Sequence, residues 1–339
     1  MTIKFNNVYI NNNSVVAGPY LYDGPLKGKF DAIYEDFYDG EDNFEDCEIK
    51  ELKKSIIDLI DKEDLKEKDI DIILSSDLTN QIMISDFAVR EFNIPFFGIY
   101  NACASICEEY ILASSLLDNK KIKKVICTTS AHNLTSERQY RNPIEYGGPK
   151  PDYSTFTVSA ATSCILSNEK RGVKIESGTI GRIVDYGVTD AFDMGSAMAP
   201  AAVDTLINHL EETKRSTDYY DLIITGDLGK YGEIIFKKLL NKKYNINIKN
   251  YEDSATLIYN KEDKRVYAGG SGPSCLPVYF YKKIIPLMKK KKIKRVLLLA
   301  TGALFSSTSV NQKKSIPCIC HAISVEAIWF IYMRLYFQV

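Results

Sequence analysis

The sequence predicts a duplicated α/β protein, two halves that share one core, and three observations predict it. The segment Asp71-Ile72-Ile73-Leu74-Ser75-Ser76-Asp77-Leu78 is echoed 150 residues later by Asp221-Leu222-Ile223-Ile224-Thr225-Gly226-Asp227-Leu228. The segment Lys123-Lys124-Val125-Ile126-Cys127-Thr128-Thr129-Ser130 is echoed 171 residues later by Lys294-Arg295-Val296-Leu297-Leu298-Leu299-Ala300-Thr301. Each is a short apolar run ending in small polar residues, the pattern of a strand buried on both faces. Helical spacing fills the intervals between these runs, as strands joined by crossover segments require.

The elements follow in order. Leu52, Ile56, Leu59 and Ile60 give Glu48 to Ile60 one apolar helical face. Ile94 to Tyr100 is an apolar, strand-like run, and it passes directly into a helix-like stretch that begins at Asn101. Ile106, Tyr110, Ala113 and Leu117, with small residues between them, predict a deeply buried helix there. Ala131 to Phe156 is polar, aromatic and loop-like, and a loop that long inside a domain is commonly functional. Pro200 suits a first helical turn, followed by Val203, Leu206, Ile207 and Leu210 at helical spacing. The basic run Lys289 to Arg295 reads as a solvated helix end before a strand. A boundary near Asn168 to Val173 divides the chain into halves 1–170 and 171–339 of one compact unit.

Composition narrows the class. With 45% hydrophobic and 26% charged residues the 339-residue chain can bury a large core, and a net charge of −1 supplies no global field for nucleic acid. The N-terminus lacks the basic and apolar regions of a signal peptide, and no stretch reaches the roughly 20 apolar residues of a membrane span. The eight cysteines lie mostly in apolar segments without disulfide-scaffold spacing. Folding in a reducing cytosol is expected.

Chemistry gathers around Cys103, at the strand-to-helix turn. A helix N-terminus can lower a thiol pKa and make a nucleophile, and it can equally serve as a floor for an anion. Cys107, one turn on, reads as core. Among the three histidines, His209 lies beside its helix's apolar stripe and is expected to face solvent, and Cys318-x-Cys320-His321 is too compact for a four-ligand zinc site. His132 ends the Val125 to Thr129 strand and opens the long loop, either reaching a pocket or anchoring the loop. Asp227 either caps the helix beginning near Gly229 or faces the pocket. The turn Gly269-Gly270-Ser271-Gly272 is either an anion nest or a site of tight packing. Arg138 and Arg141 could clamp a carboxylate, with a solvated loop face as their default.

The stretches His132 to Gly148, Thr189 to Pro200, Ala268 to Gly272 and Ser315 to His321 resemble the SpoVAD family of the thiolase superfamily, and the resemblance extends to about His321. It implies a thiolase-like fold of duplicated α/β halves with mixed sheets and buried central helices in αβαβα layers. It also implies binding of dipicolinic acid for its uptake into the developing spore, with membrane transport proteins as partners. A homodimer without nucleic acid, peripheral on the spore inner membrane, is expected.

Condensing enzymes of this superfamily add a histidine and a second polar group to the thiol. Gly226-Asp227-Leu228 and Gly269-Gly270-Ser271-Gly272 stand at those places here, so the catalytic set is broken. The expected protein is therefore non-enzymatic, with Cys103, Ala104, His132, Asp227, Gly269 and Gly270 as ligand-binding residues. No metal site is expected, and calcium enters only as a chelate of the ligand. The alternative is an acyltransferase using Cys103 on acyl-CoA. Asn101-Ala102-Cys103, Pro273, the stretch Ser159 to Ser163 and the apolar tail Ala327 to Val339 depart from the family pattern. That tail could dock on a membrane or a partner, or pack on the core.

Overall fold

The two echoes fold into equivalent strands. The computed structural model describes residues 1–119, 121–141, 149–260 and 262–328. In chain order the strands are β1 (Thr2–Ala17), β2 (Ala32–Ile33), β3 (Ile72–Ser76), β4 (Phe96–Ile99), β5 (Lys124–Ala131), β6 (Phe156–Thr157), β7 (Ala160–Ser167), β8 (Val173–Thr179), β9 (Leu222–Thr225), β10 (Tyr251–Asp253), β11 (Gly270–Ser271), β12 (Arg295–Ala303) and β13 (Cys318–Ala327). The α-helices are α1 (Phe44–Lys62), α2 (Met83–Val89), α3 (Ser105–Leu117), α4 (Asn133–Tyr140), α5 (Met194–Thr213), α6 (Gly229–Tyr244), α7 (Cys275–Tyr279), α8 (Ile285–Lys289) and α9 (Ser307–Asn311).

One mixed sheet runs β10-β9-β12-β13-β8-β1-β7-β5-β3-β4, with β2 beside β1 and a separate β11–β6 pair. In one wing β3 is parallel to β4 and β5, and β5 is antiparallel to β7. The other wing repeats this, with β9 parallel to β10 and β12, and β12 antiparallel to β13. The antiparallel β1–β8 pair joins the wings. The duplication reaches single hydrogen bonds. Asp71 Oδ2 accepts from the Lys123 and Lys124 N–H groups at 2.7 and 2.9 Å, and Asp221 Oδ2 accepts from those of Lys294 and Arg295 at 2.7 and 2.8 Å.

Helix α3 lies between the wings, touching β3 and β5 on one side and β12 and β13 on the other. Its Ile106, Tyr110, Ala113 and Leu117 are buried as the spacing predicts. Helix α1 covers the outside of the first wing and α5 that of the second, which completes the αβαβα layers. Among the described residues, no helix is long and apolar enough to cross a membrane.

Four expectations change. Helix α1 is longer than its apolar stripe, because Asn43 caps it by accepting from the Asp46 N–H at 2.8 Å. Helix α5 starts at Met194 under the Asp193 cap, so Pro200 lies inside it; burial of Ala197, Met198 and Ala201 around it offsets a lost backbone bond of about 3 kcal/mol. His209 is buried rather than solvent-facing, with Nδ1 2.6 Å from Thr179 Oγ1 and Nε2 2.5 Å from Tyr220 OH. The sheet and α6 pack on different sides of α5, so its buried face is wider than its apolar stripe. The Ala131 to Phe156 loop contains α4, started by His132 as its N-cap. The Glu145 to Gly148 part of that loop and tail residues 329–339 lie outside the described residues.

Candidate functional site

The chain leaves β4 and turns through Ala102, which has φ +49°, into the single 3-10 turn that presents Cys103. This left-handed conformation costs an alanine roughly 1–2 kcal/mol. Ser105 Oγ holds it, accepting from the Asn101 N–H at 3.3 Å and donating to Ala102 O at 2.8 Å. Strand β12 passes so close that a Cβ at Gly302 would stand 2.8 Å from Asn101 O.

Above Cys103 lies a cavity of about 430 Å³. Tyr100 and Asn101 form one wall, and Ser136, Tyr140 and Arg141, from α4 and its end, form another. Ser271 and Gly272 contribute the glycine turn, and Phe305, Ser306 and Ser309 follow β12. Among the described residues, no Asp, Glu or His lines it. The Arg141 side chain is only 6% exposed; it pairs with Glu137, which Lys150 also approaches at 2.9 Å. Its Nη2 is 3.7 Å from Met194 Sδ, and its buried Nε–H has no partner. The wall therefore carries a surplus positive charge and a free donor.

The electrostatics contradict the polarised thiol that the helix start suggests. Burial, and then Asp227, push the Cys103 thiol well above its ordinary range, against weaker opposition from the Gly272 N–H and Arg141. Asp227 is itself buried, and neither carboxyl oxygen has a hydrogen-bond partner. Burial and then Asp253 push its carboxyl well above the usual range, although the Gly272 N–H faces it. The thiol is therefore neutral at pH 7.

The sequence-predicted residues separate. Cys103 lines the cavity, whereas Asp227 stands outside the lining and close enough to raise both Cys103 and Cys275. Asp227 does not cap α6; Asp253 does, accepting from the Leu228 and Gly229 N–H groups at 3.2 and 3.1 Å. His132 does not reach the cavity. It is fully buried, with Nε2 3.1 Å from Phe37 O and Nδ1 accepting from the Thr135 N–H at 3.5 Å. Ala104 is buried behind the turn. Gly269 and Gly270 do not line the cavity, and Gly269, at φ +124°, leaves only 2.4 Å between an added Cβ and Ala255 O, the tight-packing role. The next two residues, Ser271 and Gly272, supply the wall instead.

Sequence reasoning passed over Ser136 and Tyr140, and gave Arg141 a solvated loop face as its default over a carboxylate clamp. They become legible once 133–140 is recognised as a helix, because Ser136 and Tyr140 then share a face and Arg141 ends it. Arg138 points elsewhere, pairing with Glu45 at 3.0 Å. His321 also lies outside the cavity lining, with Nδ1 accepting from the Gly181 N–H at 3.1 Å and Nε2 3.1 Å from Asn101 Nδ2. Burial lowers the pKa of each of the three histidines to about 4. Among the described residues the cavity thus brings together a neutral thiol, a cation, a backbone N–H, several hydroxyls and aromatic rings suited to a flat anion.

The fold is thiolase-like, as similar solved structures show. A variant of OleA from Xanthomonas campestris matches with TM-score 0.62 at 14% identity, covering 96% of this chain and 98% of that one. Another OleA variant, with bound lauric acid and lauroyl-CoA, matches with TM-score 0.60 at 12% identity, over 95% and 99%. The 3-oxoacyl-(acyl carrier protein) synthase III, FabH, of Xanthomonas oryzae pv. oryzae matches with TM-score 0.57 at 15% identity, over 96% and 100%. Within that class, the sequence profile of Stage V sporulation protein AD (SpoVAD) matches residues 1–326. Stage V sporulation protein AD of Bacillus subtilis (strain 168) is 39% identical over 320 residues, 94% of each chain. The chain belongs to the SpoVAD family of sporulation proteins.

Proposed function

We propose that this protein is a non-enzymatic receptor for dipicolinic acid, pyridine-2,6-dicarboxylate, acting with membrane transport proteins in uptake of the ligand into the developing spore. The observation that carries the reading is Arg141, a buried guanidinium whose Nε–H has no partner among the described residues, in a cavity that none of the described carboxylates or histidines lines. A buried cation with an unmet donor favours an anion, and a guanidinium pairs with carboxylates in a directional way. Tyr100, Tyr140 and Phe305 supply faces for a flat ring.

The free dianion suits this wall better than its calcium chelate. Calcium takes oxygen ligands, carboxylates prominent among them, and Asp227 stands outside the lining. Calcium is then expected to weaken binding by removing the free ligand. Two surface features support the wider role. Lys29, Lys62, Lys282, Lys283, Lys289 and Lys290 line a cleft of about 550 Å³ in which Asp31 is the one acidic lining residue. Such a basic cluster favours an anionic membrane surface. Phe97, on the edge strand β4, and Tyr100, just after it, are 53% and 52% exposed, which favours a second copy pairing there.

Equilibrium dialysis against labelled dipicolinate tests the reading, with one saturable site per chain expected and no uptake at millimolar ligand contradicting it. Intact-mass analysis after acyl-CoA incubation tests the non-enzymatic part. An unchanged mass is expected, and an acyl adduct abolished by Cys103→Ala would make the protein an acyltransferase.

A further inference from the structure

Cys47, Glu51 and His132 form a cluster that dipicolinate binding does not use. Cys47 and Glu51 stand one turn apart on α1, and His132 opens α4 against them. One ligand-type atom from each residue lies within 4.8 Å of those of the other two, and all three residues are buried. Cys47 Sγ donates to Glu51 Oε1 at 3.0 Å, while Glu51 Oε2 is buried without a close hydrogen-bond partner among the described residues, although the Tyr34 hydroxyl faces the carboxyl. The imidazole is fixed between Phe37, edge-on at 5.4 Å, and Phe44, stacked at 5.6 Å.

We propose that Cys47, Glu51 and His132 bind one divalent transition-metal ion of the zinc class. Thiolate sulfur, imidazole nitrogen and carboxylate oxygen are the three donor types zinc takes. The unpartnered second oxygen of Glu51 provides a fourth donor atom from the same three residues. One thiolate and one carboxylate cancel the ion's two positive charges, so the loaded site is neutral in the protein interior. Loading displaces two protons, one from the thiol and one from the carboxyl, and leaves the neutral imidazole to donate its lone pair. The ion would tie α1 to the first turn of α4, the helix that carries Ser136 and Tyr140 to the cavity and ends at Arg141. It would be structural, acting on the cavity only through that helix.

The test uses the full chain, stripped with a chelator under reducing conditions and titrated with cobalt(II) as a spectroscopic stand-in for zinc. One equivalent per chain is expected, with a sulfur-to-cobalt charge-transfer band that zinc bleaches. Cys47→Ser should abolish the band, and Glu51→Gln should weaken binding by at least ~10–100-fold, the loss that even outer partners of a metal site cause. Cys103→Ser should leave the band intact, and circular dichroism checks that each variant folds. A band that survives Cys47→Ser, or a wild-type protein that binds no cobalt and is purified with far less than one zinc per chain, overturns the proposal. Should the Cys47 and Glu51 variants fail to fold, the wild-type titration and zinc content decide it.

Discussion

Asp77 and Asp227 stand at the same place in the two halves, 150 residues apart, each just past the strand that its echo forms. Asp77 is a structural carboxylate, accepting from the Thr79 N–H at 2.7 Å, the Thr79 hydroxyl at 2.5 Å and the Ser85 N–H at 2.8 Å. Asp227 is equally buried and accepts nothing. At the opposite ends of the same strands Asp71 and Asp221 keep matching bonds. The duplication has thus been preserved where strands begin and abandoned where the second meets the cavity. A buried polar group without a partner costs stability, and such groups concentrate where function holds them. The broken symmetry locates the site more sharply than any one motif does.

Five substitutions break or sharpen this comparison. Asp77→Ala should cost the most, about 3 kcal/mol in denaturant midpoint, because three buried donors lose their acceptor together. Arg141→Met should leave folding intact and weaken dipicolinate binding by roughly 30–150-fold, about 2–3 kcal/mol, measured by equilibrium dialysis. Asp227→Asn should have the opposite sign to Asp77→Ala. The unfolded carboxyl ionises near pH 3.9 and the folded one well above it, so ionisation draws the wild type toward the unfolded state increasingly as pH rises between the two. The substitution should therefore stabilise the protein at pH 7, and the gain should shrink as pH falls toward 4. Loss of stability at pH 7 would show that Asp227 has a partner after all. Asp71→Ala and Asp221→Ala should be the mildest, about 1 kcal/mol each, equal and additive.

Much of the architecture was legible because its signals are local. The echoing runs are apolar along their whole length, and the stripe through Ile106, Tyr110, Ala113 and Leu117 fixes a buried helix without knowledge of its neighbours. The site was legible in part at Arg141 and in the Gly269 to Gly272 turn, and most directly at Cys103. Its thiol reads as polarised from the helix start alone, but burial and a carboxyl from the other half reverse the sign. Arg141 was obscured because polar residues around it make 131–156 read as loop, and the cap that starts α4 is a histidine rather than the usual Ser, Thr, Asp or Asn. His132 and His209 were misplaced for a related reason, since the partners that bury them, Phe37 and Tyr220, come from loops outside any periodic segment.

The central claim is that the cavity lined by both halves, with Arg141 from the first and the Ser271-Gly272 turn from the second, is an anion receptor over a protonated thiol. Isothermal titration of the wild-type protein with dipicolinate at pH 7, without calcium and alongside picolinate, which has one carboxylate fewer, tests it most directly. The predicted result is saturable one-to-one binding of dipicolinate, with picolinate at least ~10-fold weaker through loss of a charged hydrogen-bonding group. No heat from either ligand at millimolar concentration, or equal affinity for both, would contradict it.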